Sequence, residues 1–188
     1  MTAKQDPPAT PPASAYFLDH GHEAQVRTTF AVLVDNEPGV LHRVVGLFSA
    51  RGYNIESLTV AETDRNAHTS RLTIVTRGTA KVLHQIQSQL ERMVPVHRVI
   101  DVTANPQGVE RELALIKVRS TGQNRIEALR VSDIFRAKVI DTTLESFIFE
   151  LTGASEKIDA FIDLMRPLGL VEVSRTGVLS ITRGPERM

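Results

Sequence analysis

The sequence contains no cysteine among its 188 residues. This excludes disulfide bonds, a thiol nucleophile and thiolate metal ligands. No apolar run approaches the roughly 18–20 residues that cross a bilayer, and no charged and then apolar leader opens the chain. We therefore expect a cytoplasmic protein that makes no contact with a membrane.

The chain also lacks an excess of either charge, since 22 Lys and Arg residues balance 22 Asp and Glu residues. A neutral protein does not have the basic surface that is typical of nucleic-acid binding. The strand-like segment 70–75 carries no aromatic side chain on which bases would stack. No phosphate-binding loop of the G-x-x-x-x-G-K-[ST] or G-x-G-x-x-G type occurs. We therefore expect no nucleic-acid partner and no nucleotide-dependent catalysis.

Hydrophobic residues make up 41% of the chain, which is enough for a packed core. The first 25 residues differ, because four of the nine prolines lie between residues 7 and 12. This composition predicts a disordered tail over residues 1–25. His20 and His22 lie in it without the further ligands that a metal site needs, so we predict no metal site.

The first half, residues 26–103, alternates between strand-like and helix-like hydrophobic patterns. Its predicted strands are 28–34, 54–61, 69–76 and 96–102, and its predicted helices begin near 38 and 82. Gly52 follows Arg51, the usual order of glycine after a cation at a helix end. The order βαββαβ is that of a ferredoxin-like domain, with two helices on one face of a four-stranded antiparallel sheet.

The second half, residues 110–185, repeats this order after a polar linker at 104–108. Its predicted strands are 112–119, 138–142, 147–151, 170–173 and 178–182, and its predicted helices are 126–135 and 158–165. The last two strands are expected to close the sheet, with a possible interruption at Gly177. Glu110 and Glu112 resemble a solvated face. The predicted fold class is therefore α+β, with two ferredoxin-like βαββαβ domains in tandem.

Each half has about 75 residues, a size at which a domain is only marginally stable on its own. One face of each predicted sheet carries no helix. We therefore expect the open faces or edges to be covered by the other half or by another copy of the chain.

The turn between the first strand and the first helix has no nucleophile and no acid–base pair. The first turn of a helix leaves backbone N–H groups without intrahelical partners, and its dipole favours an anion. Gly39, Val40 and Leu41 would present such donors, and Gly39 permits close approach of a ligand. The turn therefore suits the carboxylate of a small zwitterion.

Two asparagines flank this segment. Asn36 ends the first strand and Asn54 opens the second, and each amide can donate and accept hydrogen bonds. Ile55, together with Val40 and Leu41, would supply apolar walls for a branched side chain. Spacing alone leaves another interpretation open, in which Asn36 caps the helix and Gly39 serves only the turn.

Two residues of the first helix are also open to more than one interpretation. Gly46 costs roughly 1 kcal/mol relative to alanine inside a helix. Either a close approach of another backbone explains it or it is a tolerated surface residue. His42 has no Ser or Cys partner fixed by the sequence, so we interpret it as a surface or packing residue rather than a catalytic base.

The motifs resemble the small, regulatory subunit of acetolactate synthase (acetohydroxyacid synthase), which contains an ACT domain. The resemblance covers residues 27–185, and its most specific part is the run Arg51-Gly52-Tyr53-Asn54-Ile55-Glu56-Ser57-Leu58. The other matching stretches are 36–41, 46–49, 70–75, 111–118, 134–141, 174–177 and 183–184.

The resemblance implies a non-catalytic subunit that binds and activates a separate catalytic subunit. It also implies feedback inhibition by a branched-chain amino acid, usually valine, with leucine and isoleucine as alternatives. Thiamine diphosphate, Mg²⁺ and FAD would belong to the catalytic subunit, and this chain would bind no cofactor.

In the family, ACT domains pair side by side into a homodimer, and the effector lies at their interface. This implies an effector site made of Asn36, Gly39, Val40, Leu41, Asn54 and Ile55, with the last two from the neighbouring copy. The pairing also gives a reason for Gly46. A free-standing amino-acid sensor and an enzyme in its own right are the competing classes, and the missing catalytic constellations argue against the enzyme.

Overall fold

The structure, a computed structural model, describes residues 24–64, 66–104 and 108–185 and contains two antiparallel sheets. The first domain comprises β1 (Val26–Asp35), α1 (Val40–Arg51), β2 (Ile55–Asp64), β3 (Thr69–Gly78), α2 (Ala80–Glu91) and β4 (Val96–Asp101). Its strand order is β2-β3-β1-β4. The predicted tail lies outside the described residues, apart from its last two.

Alternation along β1 and β3 places one set of apolar side chains under the two helices. Phe30, Val32 and Val34 of β1 pack with Leu72 and Ile74 of β3 in the first core. Helix α1 buries Val40, Val44 and Phe48 against this core, in agreement with the helical spacing of the sequence. These contacts fix α1 on one face of the first sheet.

The ends of both helices follow from local chemistry. Gly52 ends α1 in the left-handed region at φ 68°, and its N–H donates to the carbonyls of Phe48 and Ser49. Thr79 caps α2, because its side chain accepts a hydrogen bond from the Val82 N–H at 3.4 Å.

The second domain repeats the same order with different residues. It comprises β5 (Gly108–Arg119), α3 (Gly122–Phe135), β6 (Lys138–Thr142), β7 (Ser146–Gly153), α4 (Ser155–Met165), β8 (Leu170–Arg175) and β9 (Leu179–Thr182). Its main strand order is β6-β7-β5-β8. Phe149, Leu151, Ile158 and Phe161 lie in its core. The prediction of two tandem ferredoxin-like domains is confirmed.

The sequence predicts that the last two strands close the second sheet, but β9 does not pair beside β8. Strand β8 closes that sheet by pairing with residues 114–118 of β5. Strand β9 pairs further along β5, with Gly108 opposite Thr182 and Arg111 opposite Leu179. The first four residues of β5 and β9 therefore form a two-stranded ribbon that extends beyond the second domain.

This ribbon covers the helix-free face of the first sheet. Thr59 donates to the carbonyl of Val178 at 3.0 Å, and Arg71 donates to the carbonyl of Ser180 at 2.7 Å. Ala31 and Val75, which point to this face, are buried. The other half of the same chain therefore covers the first sheet, one of the two expected solutions.

Within the residues that the structure describes, no helix is long and apolar enough to span a membrane. The same part of the chain contains no group of three or more His, Asp or Glu residues placed to hold a metal ion.

Candidate functional site

Gly39 forms the start of α1 and has a backbone conformation that favours glycine. Its φ is 90° and its ψ is −10°, and no side chain caps the helix. A side chain at this φ would be strained. No heavy atom lies within 4 Å of the position that a Cβ would take. Asn36 therefore does not cap α1. The space beside Gly39 is open.

The backbone donors at this helix start differ slightly from the expected set. The Val40 N–H donates to the Glu37 carbonyl at 3.4 Å, and the Arg43 N–H donates to the Gly39 carbonyl at 3.0 Å. Among the described residues, the N–H groups of Gly39, Leu41 and His42 have no such backbone partner. These three donors, rather than that of Val40, are the ones left for an anion.

The side chains around the turn have different exposures. Asn36, Gly39 and His42 are exposed, and Leu41 is 44% exposed. Val40 is buried in the first core, so of the two apolar residues predicted here only Leu41 presents its side chain to solvent.

Asn54 and Ile55 do not lie beside the turn of the same chain. Asp35, at the end of β1, is opposite Thr69 of β3, whereas Ile55, at the start of β2, is opposite Thr76. Thr69 and Thr76 are seven positions apart along β3, about 23 Å at about 3.3 Å per residue. Within one chain the predicted site is therefore split between the two ends of the sheet.

The edge of the first sheet next to α1 is open. Strand β2 is the outermost strand, and Val60 on it is 47% exposed. On α1, Leu41 is 44% and Val45 36% exposed, and a Cβ on Gly46 would meet no atom within 4 Å. An unpaired strand edge beside exposed apolar side chains is typical of a surface that pairs with another chain.

Sequence reasoning missed a group of charged residues between the two domains. Arg77 Nε donates to Glu56 Oε1 at 3.0 Å, and Arg27 Nε lies 3.8 Å from Glu56 Oε2. Arg27 also donates to Glu110 Oε2 at 3.1 Å, across 83 residues of sequence. Only the tertiary pairing brings these residues together, so no sequence spacing signals the cluster.

Glu112 and Arg175 form a second pair at this interface. Arg175 Nε and NH2 donate to the two oxygens of Glu112 at 2.8 and 2.6 Å, and Arg175 NH1 donates to Asp159 at 2.6 Å. Burial by itself raises the pKa of Glu112, but hydrogen bonds and the charge of Arg175, with help from Ser155, lower it overall. The hydrogen bond with Glu112 in turn raises the pKa of Arg175.

The interpretation of Glu110 and Glu112 as a solvated face was wrong. Glu112 is only 4% exposed, and the side chain of Glu110 is 24% exposed. Both lie on β5 where it leaves the second domain to meet the first, so their charges are neutralised by arginines across strands.

A cavity of about 630 Å³ separates the two charged clusters. Arg27, Glu56 and Arg77 line it from the first domain, and Glu112 and Arg175 line it from the second. The domains are therefore joined by polar contacts around this cavity as well as by the ribbon.

Two family descriptions match the two domains of this chain. Residues 30–98 match an AHAS small subunit-like ACT domain. Residues 111–184 match the family described as small subunit of acetolactate synthase.

Individual relatives agree with these matches over most of their length. A probable acetolactate synthase small subunit of Archaeoglobus fulgidus is 46% identical over 162 residues, covering 86% of this chain and 100% of that protein. The acetolactate synthase isozyme 3 small subunit of Escherichia coli is 46% identical over 164 residues, covering 87% and 99%. The crystal structure of the acetolactate synthase small subunit from Thermotoga maritima has a TM-score of 0.76 and 39% identity, covering 86% of this chain and 99% of that one.

Proposed function

Because this chain belongs to the family of acetolactate synthase small subunits, we propose that it activates a separate catalytic subunit and makes it sensitive to a branched-chain amino acid. The family is that of the small subunit and not of the catalytic one. Valine is the first effector to test, with leucine and isoleucine as alternatives. Thiamine diphosphate, Mg²⁺ and FAD would act on the catalytic subunit.

The start of α1 is the observation that supports effector binding. Three backbone N–H groups, those of Gly39, Leu41 and His42, are left for a ligand at a helix start whose dipole favours an anion. Gly39 leaves the approach to them open. A carboxylate fits these donors, and the exposed side chain of Leu41 offers an apolar contact to a branched side chain.

A second copy would complete this site. Two β2 strands that pair edge to edge in antiparallel orientation place the start of one beside the end of the other. The end of β2 lies at the same end of the sheet as the turn, since Asp64 and Asp35 both pair with Thr69. Such a dimer therefore brings Asn54 and Ile55 of one copy towards Gly39 of the other, and it covers the exposed Val45 and Val60.

Inhibition requires that the effector bind one arrangement of the dimer better than another, since a ligand shifts an equilibrium only by its differential affinity. A free-standing amino-acid sensor is the second candidate. It has the same ligand site but would have no effect on an acetolactate synthase catalytic subunit.

The experiment that separates the two adds purified chain to the catalytic subunit and follows acetolactate formation with and without valine, leucine and isoleucine. We expect the chain to raise the rate and at least one of the amino acids to lower it. A chain that binds the amino acid but leaves the rate unchanged under all conditions would be a sensor for another partner.

A further inference from the structure

The first residues of β2 face both the proposed effector site and the second domain. Asn54 immediately precedes the strand, and Ile55 opens it and packs against the first core. The pairing with β3 shifts register between Ile55 and Ser57. Such a bulge inserts an extra residue and redirects side chains. Glu56 is that residue, and it is directly bonded to Ile55 in the chain.

Glu56 is the centre of an ion cluster that reaches the second domain. It accepts a hydrogen bond from Arg77 at 3.0 Å and lies 3.8 Å from Arg27. Arg27 is held between Glu56 and Glu110 of β5, and the side chains of Arg27 and Glu110 are each 24% exposed. Among the described residues of this cluster, only Arg27 among the arginines also bonds to β5. A movement of Glu56 therefore changes the position of Arg27.

Two further residues of β2 contact the segment that leads into β9. The Val178 N–H donates to Ser57 Oγ at 3.0 Å, and Thr59 Oγ1 donates to the Val178 carbonyl at 3.0 Å. A Cβ on Gly177 would lie 2.6 Å from Ser57 Oγ, so the two segments approach closely. These contacts place the amide of Val178 where β2 meets the second domain, so its hydrogen exchange reports a displacement of β5 and β9 relative to β2.

The domain interface has room for a second arrangement. A cavity of about 630 Å³ lies beside Glu56 and Val178. Glu110 Oε1, Ser180 Oγ and Thr29 Oγ1 are buried without a hydrogen-bond partner among the described residues. A polar interface between domains of one chain is of the kind that permits relative domain motion.

We propose that Glu56 transmits effector binding from the start of β2 to the second domain through Arg27 and Glu110. This inference rests on the proposed function. In the proposed dimer, the turn and β2 of each effector site come from different copies. The signal then reaches the second domain of the chain that supplies β2, not of the chain that supplies the turn.

The test uses the amide of Val178 as a reporter, because that N–H bonds across the domain interface. We would compare the full chain with Glu56→Gln and with the matched control Glu172→Gln, which removes an exposed pair with Lys117 in the second domain. Thermal unfolding with and without valine, leucine or isoleucine measures binding. Hydrogen exchange at Val178, with Thr176 as the internal reference, measures coupling.

In the unmodified chain and in Glu172→Gln, we expect the bound amino acid to raise the melting temperature and change exchange at Val178. In Glu56→Gln the rise should persist and the change in exchange should be lost. An exchange response at Val178 that survives Glu56→Gln overturns the inference. Loss of binding in this variant also overturns it, because Glu56 would then belong to the ligand site. An unmodified chain that binds none of the three amino acids contradicts the proposed function itself.

A mixed dimer tests the direction of the signal. A Gly39→Asp chain paired with a Glu56→Gln chain has one site with an intact turn and an intact β2. Isotope labelling of one chain at a time should show the exchange response at Val178 in the Gly39→Asp chain. A response confined to the Glu56→Gln chain overturns the assignment.

Discussion

Gly39 acts in two ways at the start of α1. Its positive φ of 90° turns the chain into the helix, and its missing side chain leaves open the approach to the first backbone donors. The sequence predicts the turn and the helix start. It does not reveal which N–H groups stay free, because that depends on the bond from Val40 to Glu37.

Gly39→Asp should abolish effector binding, because it places a negative charge where the carboxylate would lie. For the unmodified chain, ligand at about 100 times Kd should add about 2.7 kcal/mol to the free energy of unfolding. The control is Gly39→Ala, which carries the same backbone strain of about 1–2 kcal/mol without the charge. In thermal unfolding, the ligand should raise the melting temperature of Gly39→Ala and leave that of Gly39→Asp unchanged. An aspartate variant that responds like the unmodified chain would mean that the site lies elsewhere.

Glu112→Gln should lower the free energy of unfolding by about 1.5–3 kcal/mol at neutral pH, the usual contribution of hydrogen bonds to a charged group. The pKa of Glu112 is lowered in the folded state. Its stabilising effect is therefore complete above the unfolded pKa of about 4.3 and is lost as pH falls through the lower folded value. The difference in the free energy of unfolding between the unmodified chain and Glu112→Gln, measured by urea unfolding, should become smaller below about pH 4.

The control for this measurement is Glu172→Gln. The hydrogen bond from Lys117 lowers the pKa of Glu172 too, but this pair is exposed and should contribute little. Equal losses of stability in the two variants would contradict the account of Glu112 as a buried partner of Arg175.

At the scale of elements, β2 and α1 form the surface on which the proposed pairing of two copies would depend. The order of helices and strands follows from hydrophobic periodicity, so both domains could be predicted from sequence. The pairing of β9 with the first residues of β5 could not, because a short alternating strand does not indicate which partner it will join. The burial of Glu112 was hidden for the same reason, since its neutralising partner lies 63 residues away.

Val45→Glu should disrupt the proposed dimer. In a two-fold interface the charge occurs twice, and juxtaposed like charges cost several kcal/mol. The matched control is Leu164→Glu on α4, where the leucine is 47% exposed and away from this surface. Sedimentation equilibrium should show a dimer for the unmodified chain and the control, and a monomer for Val45→Glu. A Val45→Glu dimer of unchanged affinity would rule out pairing through this edge.

At the scale of the whole molecule, two small domains are joined by the ribbon of β5 and β9 and by charged side chains around a cavity. The first domain contains the start of α1 and the unpaired edge strand β2. The ribbon of the second domain covers the helix-free face of the first sheet. The predicted site is split between the two ends of one sheet because β1 and β2 both pair antiparallel with β3 and are therefore parallel to each other. This separation follows from the βαββαβ order and could be predicted from the sequence. The split explains why the proposed effector site would need two copies.

The measurement that tests this account most directly is a valine titration of acetolactate formation by the catalytic subunit, with either the unmodified chain or Gly39→Asp. We predict that both chains raise the rate and that valine lowers it only with the unmodified chain. Failure of the unmodified chain to raise the rate at any valine concentration would contradict the assignment as a regulatory subunit. Equal inhibition with both chains would contradict the placement of the effector at the start of α1.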